Sequence, residues 1–167
     1  TKPRPFLAFP CLLIIALAIL TGPVDSTATA ERRGGDNWTS LFDGTTLGLW
    51  KTTNFGGEGE VTISEGELRL DFGSSMSGIT YTGPMPTTNY EIQLDAQRVD
   101  GVDFFCGLTF PVKDSYCSFI VGGWAGAVVG LSSIDGKDAS ENATTRYMNF
   151  ETGRWYHLRV RVMDRRI

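Results

Sequence analysis

The chain has one histidine in 167 residues, and that scarcity removes several chemistries at once. A single imidazole cannot build a multi-histidine zinc site. His157 also shares its parity with Arg159 and Arg161, the setting of a solvated face rather than of a Ser-His-Asp centre. Cysteine is nearly as rare, with only Cys11, Cys106 and Cys117. No window repeats at the helical period. A glycine-rich phosphate loop opening a helix is also lacking, since Gly56-Gly57-Glu58-Gly59 leads into a strand-like run, which argues against nucleotide chemistry. Excess positive charge is missing too. A net charge of −4 argues against nucleic acid or anionic lipid as a partner.

Long apolar runs are confined to the N-terminus. Basic Lys2 and Arg4 precede the apolar stretch from Phe6 to Leu20, and small residues follow to Ala28-Thr29-Ala30. That order is the pattern of a cleavable secretory signal over residues 1–30. Pro10 interrupts the run and Gly22-Pro23 closes it, so it is short for a membrane span. An uncleaved anchor is the alternative. The expectation is export to a periplasmic, cell-surface or extracellular location, with no membrane span after cleavage. Residues 31–37, charged and glycine-rich, read as a linker.

What is abundant is period-2 alternation. Val61 and Ile63, then Leu68, Leu70 and Phe72, then Tyr90, Ile92, Leu94 and Ala96, and finally Leu158, Val160 and Val162 alternate with polar neighbours. Glu65-Gly66, Asp100-Gly101, Asp135-Gly136 and Thr152-Gly153 mark turns between such runs. Val102 to Phe110 and Tyr116 to Gly122 are apolar on both parities, as central strands are. Regularly spaced antiparallel strands without helices predict an all-β sandwich of two sheets over residues 38–167. The pattern stops at Ile167 within a strand-like run and begins without Met, so the domain is expected to be incomplete at its C-terminus.

Cleavage of the leader leaves Cys106 and Cys117, on two runs joined by the hairpin signal Pro111-Val112-Lys113-Asp114. They are disulfide candidates, with two buried free thiols as the alternative. Carboxylates are the remaining candidates for acid–base chemistry. Asp103 stands within an apolar run, where an unpaired charge is costly, although it also adjoins the Asp100-Gly101 turn. Asp135, Asp138 and Glu141 cluster around a second turn. Trp124, between Gly122-Gly123 and Ala125-Gly126, is either a platform for a sugar ring or a core residue, whereas Trp50 and Trp155 read as core. Asn37-Trp38-Thr39 and Asn142-Ala143-Thr144 fit the N-glycosylation pattern.

Leu41-Phe42-Asp43-Gly44-Thr45-Thr46-Leu47, followed by Trp50-Lys51, resembles the opening motif of the 3-keto-disaccharide hydrolase family. Asn89-Tyr90-Glu91-Ile92, the run Gly101 to Leu108 and Gly153-Arg154-Trp155-Tyr156 are similar to it as well. The resemblance implies a concanavalin A-like jelly roll and cleavage of glycosides oxidised at C3. That chemistry needs a base for the C2 proton and something positive to hold the enolate, hydrogen-bond donors or a divalent metal, so the cofactor stays open. Asp103, Asp138 and Glu141 are the catalytic candidates, and Trp124 and Asp135 the substrate-binding ones. Leu47-Gly48-Leu49-Trp50 departs from the Asp-Gly-Trp run usual in the family, and no catalytic carboxylate matches residue by residue. The expected function is therefore an exported hydrolase or lyase on 3-keto-glycosides or related glycans, with a glycan or oxidised saccharide as partner. The alternative is a non-catalytic glycan-binding or structural module on the same fold.

Overall fold

The computed structural model describes residues 12–16 and 38–167; for Leu12–Ala16 it defines the backbone pairing. The rest of the expected signal segment, its expected cleavage site after Ala30 and the expected linker, Asn37 included, lie outside the described residues. Among the described residues no helix is long and apolar enough to cross a membrane.

The fold is an antiparallel β-sandwich. One sheet holds β1 (Leu12–Ala16), β3 (Val61–Ser64), β4 (Glu67–Leu70), β6 (Tyr90–Asp100) and β11 (Trp155–Val162) in the order β11-β6-β1-β4-β3. The other holds β7 (Cys106–Val112), β8 (Ser115–Gly122), β9 (Val128–Ser132) and β10 (Arg146–Tyr147) in the order β10-β9-β8-β7. A two-stranded ribbon joins β2 (Trp50–Thr52) to β5 (Ile79–Tyr81).

Alternation decides which side chains enter the core. On β6 and β11, Leu94, Ala96, Leu158, Val160 and Val162 face inward and are buried. They meet Phe105, Cys106, Phe110, Cys117 and Val121 from the opposing sheet and its approach. The outward parity of the same two strands carries a polar ladder in which Glu91 accepts from Arg159 and Arg161, and Asp95 pairs with His157 at 2.9 Å. Among the described residues, Phe42, Leu68 and Leu70 form a further buried cluster. The β3–β4 connection is a two-residue turn with both residues left-handed, Glu65 at φ 54° and Gly66 at φ 84°, the twist that suits a tight hairpin.

Several expectations are corrected here. Trp155 is exposed, because it falls on the outward parity with His157. The run from Val102 does not begin as a strand: pairing starts only at Cys106, and residues 101–105 bend. The β7 strand lies at the sheet edge, where Pro111 can be tolerated without a backbone N–H. The strand-like run near the end is strand only as far as Val162, after which Met163 pairs back to Arg166. The Cys106–Cys117 disulfide is not formed; both thiols are free and buried. Register explains why. Cys106 opposes Val121 while Cys117 opposes Phe110, so the two sulfurs stand about four residues apart along the ladder, roughly 13 Å at strand rise.

Candidate functional site

The hairpin between β8 and β9 has an unusual backbone. Its tip, Gly123–Gly126, makes a single turn in which Trp124 (φ 47°) and Ala125 (φ 66°) are both left-handed. Left-handed residues other than glycine cost about 1–3 kcal/mol each and persist only where the surroundings impose them. Here the hairpin is wedged against the neighbouring loop: a methyl group at Gly126 would collide with the Val102 carbonyl oxygen. The result is a tryptophan 47% exposed rather than buried, so the core reading of Trp124 does not hold.

Beside it lies a hollow of about 330 Å³ lined by Asp103, Phe104, Ile120, Gly123 and Trp124. Ile120 rises from the outer face of β8, flanked across the sheet by Gly107 and Gly130, which keep the floor low. Phe104 covers Gly107, where an added Cβ would lie 3.5 Å from the ring. Asp103 turns back on its own loop, its Oδ1 accepting the Phe104 N–H at 2.7 Å. The second oxygen, Oδ2, accepts no hydrogen bond from the described residues. One carboxylate oxygen is thus fixed on the residue's own loop.

The other candidates are placed elsewhere. Asp138 uses its Oδ1 on the Ser140 N–H and hydroxyl at 2.9 and 2.6 Å, and so folds its own loop. Asp135 occupies a left-handed turn position, and Glu141 is exposed on the same loop. None of the three lines the hollow. Asn142 is held at the same loop's centre. Its amide donates to Leu131 O at 2.8 Å and Asp138 O at 2.7 Å, and its Oδ1 accepts from the Thr144 N–H and hydroxyl. The glycosylation-like tripeptide is therefore a structural clamp in the folded chain.

Asp43, in the opening motif, is likewise a loop organiser: it accepts from the Thr45 and Thr46 N–H groups and from both hydroxyls. Those backbone bonds hold its carboxyl well below the usual range. Among the described residues, no three His, Cys, Asp or Glu side chains converge as a metal cluster would require. Asp103 is the one carboxylate among the residues lining the hollow.

One contributor escaped the sequence reading. Arg98 is 6% exposed and continues the inward parity of Leu94 and Ala96 behind the hollow's rear wall. The alternation at Ala96 pointed to it, but a charged residue at an inward position reads as the end of a strand.

Fold and hollow together define the class: an all-β sandwich with an aromatic-flanked surface hollow holding one oriented carboxylate. A family model described as a 3-keto-alpha-glucoside-1,2-lyase-like domain matches residues 37–167, and the chain belongs to that family, a carbohydrate-related group of hydrolases and lyases. No curated protein matches the chain. No solved structure matches it either.

Proposed function

We propose that this protein is exported and acts on 3-keto-glucosides or related glycans, which it takes in the Asp103–Trp124 hollow. The observation that carries this reading is that Asp103 and the exposed Trp124 line one hollow. An aromatic face suits the apolar side of a pyranose ring, and a carboxylate suits its polar edge. With a ketone at C3, the C2 proton is acidic. Asp103 removes it as base, the electron pair forms the enolate, and the C1–O bond breaks with release of the alcohol; water then adds across the new double bond. Support for export comes from the basic, apolar and small-residue order of residues 1–30.

A specific observation favours a second reading, a glycan-binding module without turnover. Elimination through an enolate needs a donor or cation beside the oxygen that gains charge, and the hollow's lining includes no Lys, Arg or His. One experiment separates the two. Methyl 3-keto-α-D-glucoside is incubated with the protein, with and without divalent metal, and methanol release is followed alongside calorimetric binding. Release that Asp103→Asn lowers at least 100-fold establishes the lyase; binding lost in Trp124→Ala without any release establishes the module. Neither release nor binding rejects the hollow as a saccharide site.

A further inference from the structure

We infer that Arg98 is the positioning residue of the hollow, a buried cation that fixes the loops carrying Asp103, Phe104 and Trp124 without touching what they bind; this rests on the saccharide reading above. Among the described residues Arg98 is the buried charged side chain. Its partners are all neutral: Nη1 donates to Asp103 O at 3.1 Å, Nη2 to Phe150 O at 2.6 Å and Nε to Thr152 Oγ1 at 3.3 Å. The guanidinium carbon also stands 5.9 Å from the centre of the Phe105 ring. A guanidinium withdrawn from water without a carboxylate is costly, and two neighbouring carbonyls and a hydroxyl offset that cost only if held in place. A packed apolar residue would hold a plain sandwich wall at lower cost, so the location of those acceptors carries the argument.

They lie on two different loops. Asp103 O belongs to the bend between β6 and β7, and Phe150 O and Thr152 belong to the connection into β11. A third segment closes on the same group: an added Cβ at Gly126, in the hairpin that presents Trp124, would lie 3.3 Å from Nη1. The backbone of Arg98 joins in as well, its carbonyl accepting the Gly153 N–H at 2.7 Å. One planar fork, with donors in fixed directions, thus ties two loops together and packs beside the hairpin of the third. By holding the Asp103 carbonyl, it fixes the residue whose Oδ1 accepts the Phe104 N–H and which lines the hollow. Lysine, a point charge with rotatable donors, cannot reproduce the fork.

The test compares wild type with Arg98→Met and Arg98→Lys in the full chain. Two readouts are taken: calorimetric binding of methyl 3-keto-α-D-glucoside, and hydrogen exchange of the Phe104 amide. Arg98→Met with unchanged far-UV circular dichroism is expected to bind at least tenfold more weakly and to exchange the Phe104 amide at least tenfold faster. Added 20 mM methylguanidinium should restore part of both in Arg98→Met and neither in wild type. A folded Arg98→Met that matches wild type in both readouts overturns the inference. Should Arg98→Met not fold, Arg98→Lys decides, with weakened binding and a faster Phe104 amide in support, and wild-type values against. If Trp124→Ala binds the sugar as wild type does, the saccharide reading fails, and the Phe104 amide alone then decides whether Arg98 sets the loop.

Discussion

Asp43 shows how a carboxylate is fixed without burial. Its Oδ1 accepts the Thr45 and Thr46 N–H groups at 2.7 Å each, and its Oδ2 accepts the Thr46 hydroxyl at 2.8 Å. These bonds favour the ionised form, so the folded state binds a proton less readily than the unfolded chain. The contribution is complete above the ordinary aspartate value of about 3.9 and is lost as pH falls through the lower folded value. Asp43→Asn, whose amide cannot accept at both positions, should therefore melt below wild type at pH 7, with the gap constant down to about pH 4 and narrowing from there toward pH 2. Thermal melts across that range check it; a gap that stays constant or widens below about pH 4 contradicts the assignment. The cysteines yield a second expectation. Burial pushes the Cys106 thiol up to about 12 and also raises Cys117, whose Sγ donates to Ser132 O at 3.3 Å. Neither should react with a thiol reagent at pH 8 until the chain unfolds, and reductant should leave the melting temperature unchanged.

At the scale of elements, the loop between β9 and β10 depends on one side chain. Asn142 spans Leu131 O on the strand and Asp138 O across the loop, and Thr144 Oγ1 accepts the Leu131 N–H at 2.9 Å. Asn142→Ala leaves those carbonyls short of a donor and should cost about 1–3 kcal/mol, measurable as a lower denaturant midpoint without a change in slope. A cost near zero would show that the loop is held from elsewhere. This clamp also shows why some elements can be read from sequence and others cannot. The β6 and β11 strands follow directly from alternation, because a buried face imposes period 2. Trp155 was misread where residue type was set above parity: Leu158, Val160 and Val162 already fix it outward. The cysteine pair stays open between disulfide and free thiols in the sequence because register depends on the Lys113-Asp114 turn, and the structure decides for buried free thiols. Asp103 was legible both as a candidate and as a neighbour of the Asp100-Gly101 turn, but the wedge of Gly126 against Val102, a contact between distant segments, was not.

At the scale of the whole molecule, the question is what joins its two cores. Leu94, Ala96 and Leu158 pack on the β7–β8 side, while Phe42, Leu68 and Leu70 pack beneath the β3–β4 hairpin. Within the large sheet, β1 stands between β6 and β4 and pairs with both. Its neighbours alternate: Leu68, Leu70 and Ala96 point inward, while Arg69 and Gln97 are exposed or polar-bonded. Leu12–Ala16, by contrast, is apolar at every position, as the centre of an export signal would be. A strand adapted to this place would be polar opposite Arg69 and Gln97, the Cα partners of Ile14. If export removes residues 1–30, β4 and β6 lose their shared neighbour and expose unpaired backbone edges. The chain 31–167 should then lose amide protection across Glu67–Leu70 and along the β1-facing edge of β6, and be cut by protease within residues 71–89. Protection of β7, β8 and β11 should persist, since β7 and β8 pair with each other, β8 with β9 and β11 with β6, and none of them with β1. Hydrogen exchange on 31–167 beside 1–167 is the measurement. Equal protection of β4 in both chains would show that the hairpin is held by its own core, and that the leader strand is dispensable to the sandwich.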